Sequence, residues 1–332
     1  MWALKNHTRY AAERAWVRDR DGAYQLVVAV RASFVIGSEG DLALANEQPA
    51  PRAAPEFEAD PASSSLKHEA ELGPLTPTSD VVLRANAHAK QPSEHVAVSL
   101  RVGALHKQLI VHGERTYGAD GATLSRAAPF VTRPIRYEHA YGGSDPLDQT
   151  PGRRATERHN PVGRGFALDP RSRAGTLAPA IEYADGMDAA SRGPAGFGPI
   201  ASHWSPRCEL AGSYDEVWQR ERRPLLPLDY DPRFAMAAPF DQQLPSYLAG
   251  GEAVALEGMT PDGALRFLLP TVRLTFESRF GSVRAPHDGH LVSITIEPEE
   301  RRLGLLFKST LRVAARRVEQ LDQTLVEERI TT

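Results

Sequence analysis

The sequence predicts a mainly β protein: antiparallel sandwich or barrel-like sheets, a long irregular segment rich in Pro, Gly and aromatics, and one short α-helix. Three observations carry this reading. Alternating apolar and polar runs recur at spacings of about 8–12 residues with turn chemistry between them. Thirteen of the 26 prolines and ten of the aromatics (4 Trp, 9 Tyr and 11 Phe in all) fall between Gly142 and Gly250. One stretch alone carries a helix-start signature.

The elements follow in order. Arg14–Arg20 and Ala23–Ile36 flank Asp21-Gly22, which reads as a two-residue hairpin turn because both turn positions must accept positive φ. In the second strand Tyr24, Leu26, Val28, Val30, Ala32, Phe34 and Ile36 share one face, and Gln25, Arg31 and Ser33 lie on the other. Gly37–Gly40 turns into Asp41–Asn46, and Gln48–Pro61 reads as loop. Strands are expected at Leu66–Leu72, Asp80–Ala89, Glu94–Val102, Lys107–His112 and Pro134–Tyr141, with a hairpin turn at Gly103-Ala104. An irregular block spans Gly142 to Gly251. Within it Ser213-Tyr214-Asp215-Glu216 reads as a capping box opening a helix that Pro224 ends at or before Arg223. Tyr214, Val217, Trp218 and Glu221 would share a helix face, with Trp218 buried against the sheet. Strands return at Ala253–Leu256, Ala264–Leu269, Val272–Phe280, Leu291–Ile296 and Leu303–Lys308. Leu311–Ile330 reads equally as helix or strand. No fixed-period repeat is visible. The chain is taken as one domain over 1–332, with a β block to residue 141, the irregular block to 251 and a second β block beyond.

The 332 residues hold 39 Lys and Arg against 42 Asp and Glu, a net charge of −3. That balance argues against nucleic-acid or anionic-membrane partners, which select a basic excess. No run approaches the roughly 20 apolar residues that span a bilayer. Met1-Trp2-Ala3-Leu4-Lys5 does not open a secretory signal, and the single cysteine, Cys208, allows no internal disulfide, so a cytoplasmic location is expected.

Chemistry-bearing patterns are weak. The 11 histidines are scattered, without a metal-ligand spacing. Cys208 between Arg207 and Glu209 reads as a packing residue rather than a nucleophile. Asn160–Gly165 has two glycines and Arg164, but reads as a tight turn rather than a phosphate loop. The middle block gathers Asp215, Glu216, Asp229, Asp231 and Asp241 among aromatics, the pattern of a carboxylate-dependent glycan-acting enzyme. Capping and turn roles account for those carboxylates as well. No cofactor, metal or catalytic residue is assigned.

Gly193–Gln243 is the most distinctive stretch. It reads Gly-Pro-Ala-Gly-Phe-Gly-Pro-Ile over 193–200, then Trp204-Ser205-Pro206-Arg207, Leu210–Asp215 and Trp218. Pro224–Pro227, Asp229–Phe234 and Ala238–Gln243 follow. Together with Ala12–Val17, Tyr137–Gly143, Asn160–Phe166 and Ile294–Leu303, this string resembles the DUF2169 family, which accompanies type VI secretion genes in Gram-negative bacteria. The resemblance implies a cytoplasmic adaptor or chaperone that binds an effector and helps load it onto the VgrG/PAAR spike, with no catalytic residues to carry over. Some relatives carry C-terminal pentapeptide repeats; this sequence, to Thr332, shows none. Partner-binding or family-motif candidates are Trp204, Arg207, Tyr214, Trp218, Arg220, Asp229, Tyr230, Asp231, Arg233, Phe234, Asp241 and Gln242. A glycan-acting enzyme and a structural spike component are the competing readings.

Overall fold

A computed structural model describes residues 2–148, 154–186 and 189–329. The fold is mainly β, as expected, and its sheets are open rather than closed into a barrel. Antiparallel pairing dominates. The largest sheet runs Ala11–Arg18, Tyr24–Ile36, Arg302–Val313, Gly289–Glu297, Asp80–Leu83, with Leu42–Leu44 also pairing Tyr24–Ile36. A five-stranded sheet runs Ile181–Tyr183, Leu105–His112, His95–Val102, Ala253–Glu257, Ala264–Leu268. A four-stranded sheet runs Ala3–Asn6, Leu321–Glu328, Leu274–Phe280, Val283–His287.

Alternation places the core. Leu26, Val28, Val30, Ala32, Phe34 and Ile36 all enter one apolar cluster, to which all three sheets contribute, Leu100, Leu256, Phe276 and Val326 among them. The opposite face of Tyr24–Ile36 is also covered: Ala29, Arg31 and Ser33 are buried there. A central strand covered on both sides is apolar nearly throughout for that reason.

Several expectations need correction. The first hairpin is closed by Asp19–Ala23 rather than by two residues: Arg18 pairs Tyr24, and only Gly22 takes a positive φ, 82°. The Asp19 carboxylate accepts from the backbone N–H of Asp21 and Ala23, so a side chain organises the turn. The Gly103-Ala104 turn forms as expected, with Val102 paired to Leu105. Asp80–Ala89 divides. Asp80–Leu83 runs parallel to Gly289–Glu297, and Asn86–Ser93 leaves to pair Phe130–Pro134. Leu66–Leu72 shortens to Leu66–His68, which pairs Glu56–Phe57 inside the expected loop. Pro134–Tyr141 is not one strand: Pro134 ends Phe130–Pro134, Tyr137–His139 form a 3-10 turn, and Tyr141 opens the two-residue strand Tyr141–Gly142. Leu311–Ile330 resolves into the end of Arg302–Val313, a 3-10 turn at Ala315–Gln320 and the strand Leu321–Glu328; Ile330 lies outside the described residues. Ala3–Asn6 and Val283–His287 are strands the pattern does not announce.

The helix is real but capped differently. It spans Glu216–Glu221, and its N-cap is Asp215, whose carboxylate accepts from Trp218 N–H at 2.8 Å. Ser213 is drawn away: its hydroxyl donates to Asp229 at 2.7 Å, a stronger charge-assisted bond. No residue of the helix is buried, and Trp218 is half-buried rather than packed on a sheet. A second helical turn, Ala189–Arg192, is additional to the one helix expected.

Irregular backbone leaves N–H and C=O groups that something must satisfy. Here buried polar side chains do much of it. Asn160, fully buried, donates to the carbonyls of Tyr137 and Tyr141 at 2.8 Å each. Gln242, also fully buried, donates to the carbonyls of Val81 and Phe197. Asp80 accepts from Ala237 and Ala238 N–H at 3.0 Å each. The irregular block is thereby tied to the edge of the largest sheet.

Candidate functional site

The sequence-selected residues separate into two groups. Trp204, Arg207 and Gln242 are buried and hold the block together. Trp204 packs edge-on against Tyr137 at 5.7 Å. Arg207 donates to the carbonyls of Phe234 and Ile200, pairs with Glu69 at 2.6 Å and lies over the Phe234 ring. Asp241 and Gln242 both accept from the buried ammonium of Lys107, at 2.8 and 2.9 Å. The Arg207, Asp241 and Gln242 contacts satisfy polar groups removed from water and the Trp204 contact is apolar packing, so these side chains have structural partners.

The second group forms a projecting outcrop over 212–234. Tyr214 lies edge-on to Trp218, with ring centres 4.7 Å apart, and Trp218 Nε1 donates to Leu225 O at 2.8 Å. Asp229 accepts from both the N–H and the hydroxyl of Ser213, closing the outcrop into a loop. The Asp19–Ala23 turn supports it from below: Arg222 donates to Arg20 O and Arg20 to Leu228 O. Apolar surface is left in water: Tyr214 is 55% exposed, Val217 52% and Leu228 71%. Val217, Trp218, Pro227 and Leu228 line an open groove of about 470 Å³. Its charged lining is Asp215, Glu221 and Asp229 against Arg222 alone.

Arg220 is exposed and paired with Glu221. Tyr230 and Phe234 lie edge-on at 6.1 Å. Asp231 caps the 3-10 turn Pro232–Ala235 and binds Arg233 at 2.6 Å. The carboxyls of Asp229 and Asp231 are held below their ordinary range, the first by the Ser213 N–H and hydroxyl and the second by Arg233. A catalytic acid needs the opposite shift. Among the described residues no group of three His, Cys, Asp or Glu side chains is placed to hold a metal ion. Among them, too, no helix is long and apolar enough to cross a membrane.

A second site escaped the motif reading. On the outer face of the largest sheet a cavity of about 60 Å³ is lined by charged groups, among them Arg31, Lys308, Arg52, Glu69, Glu71 and Asp80. Its signal in the sequence is a lone cation inside an apolar strand: Arg31 within Val27–Ile36 and Lys308 within Leu303–Leu311.

No curated protein and no solved structure matches the chain significantly. One family model does match, described as "Uncharacterized protein conserved in bacteria (DUF2169)", over residues 21–308. The Ala12–Val17 strand, part of the resemblance noted above, lies outside that range. Since the match takes in most of the sequence, including the outcrop, the buried polar anchors and both cavity cations, the chain belongs to the DUF2169 family.

Proposed function

We propose that this protein is a binding adaptor that holds a type VI secretion effector and helps deliver it to the VgrG/PAAR spike in the cytoplasm, with the outcrop as its effector-binding face. The observation that carries the reading is the exposed Tyr214, Val217 and Leu228 surface around half-buried Trp218, held on a frame of local caps and cross-links. Aromatic anchors on a rigid support are what a protein interface uses for affinity. The acidic lining of the groove selects the complement: an apolar effector segment flanked by basic residues. The glycan-acting alternative has less support, because Asp229 and Asp231 are engaged by Ser213 and Arg233 and pushed toward ionisation.

The test is pull-down from the native host, with any co-purifying type VI effector quantified by mass spectrometry, for wild type and for Val217→Asp and Leu228→Asp. Both side chains are exposed, so each substitution should change stability by no more than about 0.5 kcal/mol. Effector recovery should fall at least tenfold in both. Undiminished recovery from both stable variants would remove the outcrop from the interface. Equal effector abundance and secretion in cells lacking the protein would remove the adaptor reading itself.

A further inference from the structure

The cavity on the outer face of the largest sheet is lined by four cations, Arg31, Arg52, Lys67 and Lys308, against three carboxylates, Glu69, Glu71 and Asp80. Each carboxylate there has a partner. Glu71 takes the Arg52 guanidinium at 2.9 Å and the Arg52 N–H at 2.8 Å. Glu69 forms an ion pair with Arg207 at 2.6 Å, and Asp80 accepts two backbone N–H groups at Oδ2, while its Oδ1 has no hydrogen-bond partner among the described residues. Arg31 and Lys308 are left over. Arg31 is 5% exposed, and its nearest carboxylate contact is Glu71 at 3.9 Å, too long for a hydrogen bond. Its guanidinium carries five N–H donors in a fixed fork, and among the described residues none of them has a hydrogen-bond acceptor. Lys308 is 3% exposed, and among the described residues its ammonium reaches only the carbonyls of Gly73 and Pro74, at 3.3 and 3.2 Å. Lys107, the other buried lysine, shows what a completed site is like: a carboxylate and an amide oxygen both lie within 2.9 Å.

Register brings the two cations together. Leu306 pairs Arg31 and Lys308 pairs Ala29, so Arg31 and Lys308 are diagonal neighbours on one face, about 7–8 Å apart at Cα. Between them the cavity of about 60 Å³ has room for a few waters or one small polyatomic ion. Burial lowers the pKa of both cations, Lys308 to about 8; Glu71 opposes the shift at both, and Asp80 and Glu69 oppose it at Lys308, without cancelling it.

We propose that this cavity is an anion-binding site, in which a small oxyanion (a phosphate-like group or a carboxylate) takes the open N–H donors of Arg31 and Lys308. The planar fork of Arg31 binds two oxygens of one group side by side, and Lys308 supplies a point charge from the adjacent strand. The site is distinct from the outcrop and independent of the adaptor reading.

Thermal unfolding measured in chloride, phosphate, sulfate and acetate at matched ionic strength tests it. Wild type should show a saturable rise in Tm with at least one oxyanion. Phosphate and sulfate against acetate then separate a tetrahedral group from a carboxylate. Arg31→Met and Lys308→Met should each weaken the apparent affinity at least tenfold. In chloride, Lys308→Met should melt no earlier than wild type, since it removes a buried charge that no carboxylate contacts directly. Selenate soaked into wild-type crystals gives an answer that needs no variant: an anomalous peak is expected between Arg31 and Lys308. Water alone at that position, no saturable effect in wild type, or an unchanged oxyanion effect in a folded variant would each overturn the proposal.

Discussion

Gln242 shows how much one side chain can hold in an irregular block. Its amide oxygen accepts from Lys107 while its amide nitrogen donates to Val81 O and Phe197 O, so one residue ties the block to both large sheets. Replacing it by leucine keeps the volume but leaves two buried carbonyls and a buried ammonium short of partners. Losses of this kind cost about 1–3 kcal/mol each and overlap within one network. Gln242→Leu should therefore lower stability by about 3 kcal/mol in urea unfolding. A loss under about 1 kcal/mol would show that water replaces the amide and that the anchor is dispensable. Trp218, by contrast, is half-buried and held by one bond to Leu225 O, so the full cost of emptying a core aromatic does not apply to it.

At the scale of the element, the four-stranded sheet encloses a directed chain of hydrogen bonds. Trp2 Nε1–H donates to the Thr324 hydroxyl at 2.9 Å, and the Thr324 and Ser278 hydroxyls meet at 2.8 Å. Ser278 lies 3.0 Å from His287 Nε2, and His287 Nδ1 lies 2.6 Å from the Ser309 hydroxyl, which donates to Asp288 O. Because Trp2 can only donate and Asp288 O can only accept, one assignment satisfies every group: Thr324 donates to Ser278, Ser278 to Nε2, and Nδ1 carries the proton. Protonating Nε2 would set two donors against each other. Burial already lowers the pKa of His287 to about 4, with the Asp288 carboxylate opposing. The unfolded chain, with its histidine near 6.5, then binds the extra proton first as pH falls. The stabilisation is complete above about pH 6.5, declines as pH drops and is lost by about pH 4, up to about 3 kcal/mol in all. His287→Phe should be less stable at pH 7 but show a shallower loss between pH 7 and 4.5. Parallel slopes for the two proteins would remove His287 as the source.

At the scale of the whole molecule, the range matched by the family ends inside the sheets. Residue 308 lies within the Arg302–Val313 strand, and Ala3–Asn6, Ala11–Arg18 and Leu321–Glu328 fall outside the match. Yet Leu321–Glu328 sits between Ala3–Asn6 and Leu274–Phe280, and its Leu321, Thr324 and Val326 are buried. Removing it exposes the edge of Leu274–Phe280 and one side of the shared apolar core, opening an unpaired edge to aggregation. A chain ended after Val313 should lose its cooperative unfolding transition and its near-ultraviolet dichroism. Native dichroism in that truncated chain would show that the four-stranded sheet is an accessory to the fold.

The sequence by itself determined the fold class, the Gly103-Ala104 hairpin and the inward face of Tyr24–Ile36, because strand alternation and turn chemistry are local properties. It also placed the helix and its stop before Pro224. It did not reveal that Asp80–Ala89 serves two sheets, that Leu321–Glu328 is a strand, or that Ser213 leaves its capping role for Asp229. Each of those depends on a partner distant in the chain, and an isolated segment carries no record of it. The candidate residues divide for the same reason. Trp204 and Trp218 are both aromatics among prolines, and only the packing of Tyr137 over one and open solvent beside the other make them anchor and outcrop. Arg31 and Lys308 read as single charges in apolar strands until antiparallel register sets them side by side. Burial and charge balance are sums over neighbours, and the neighbours are chosen by the tertiary structure.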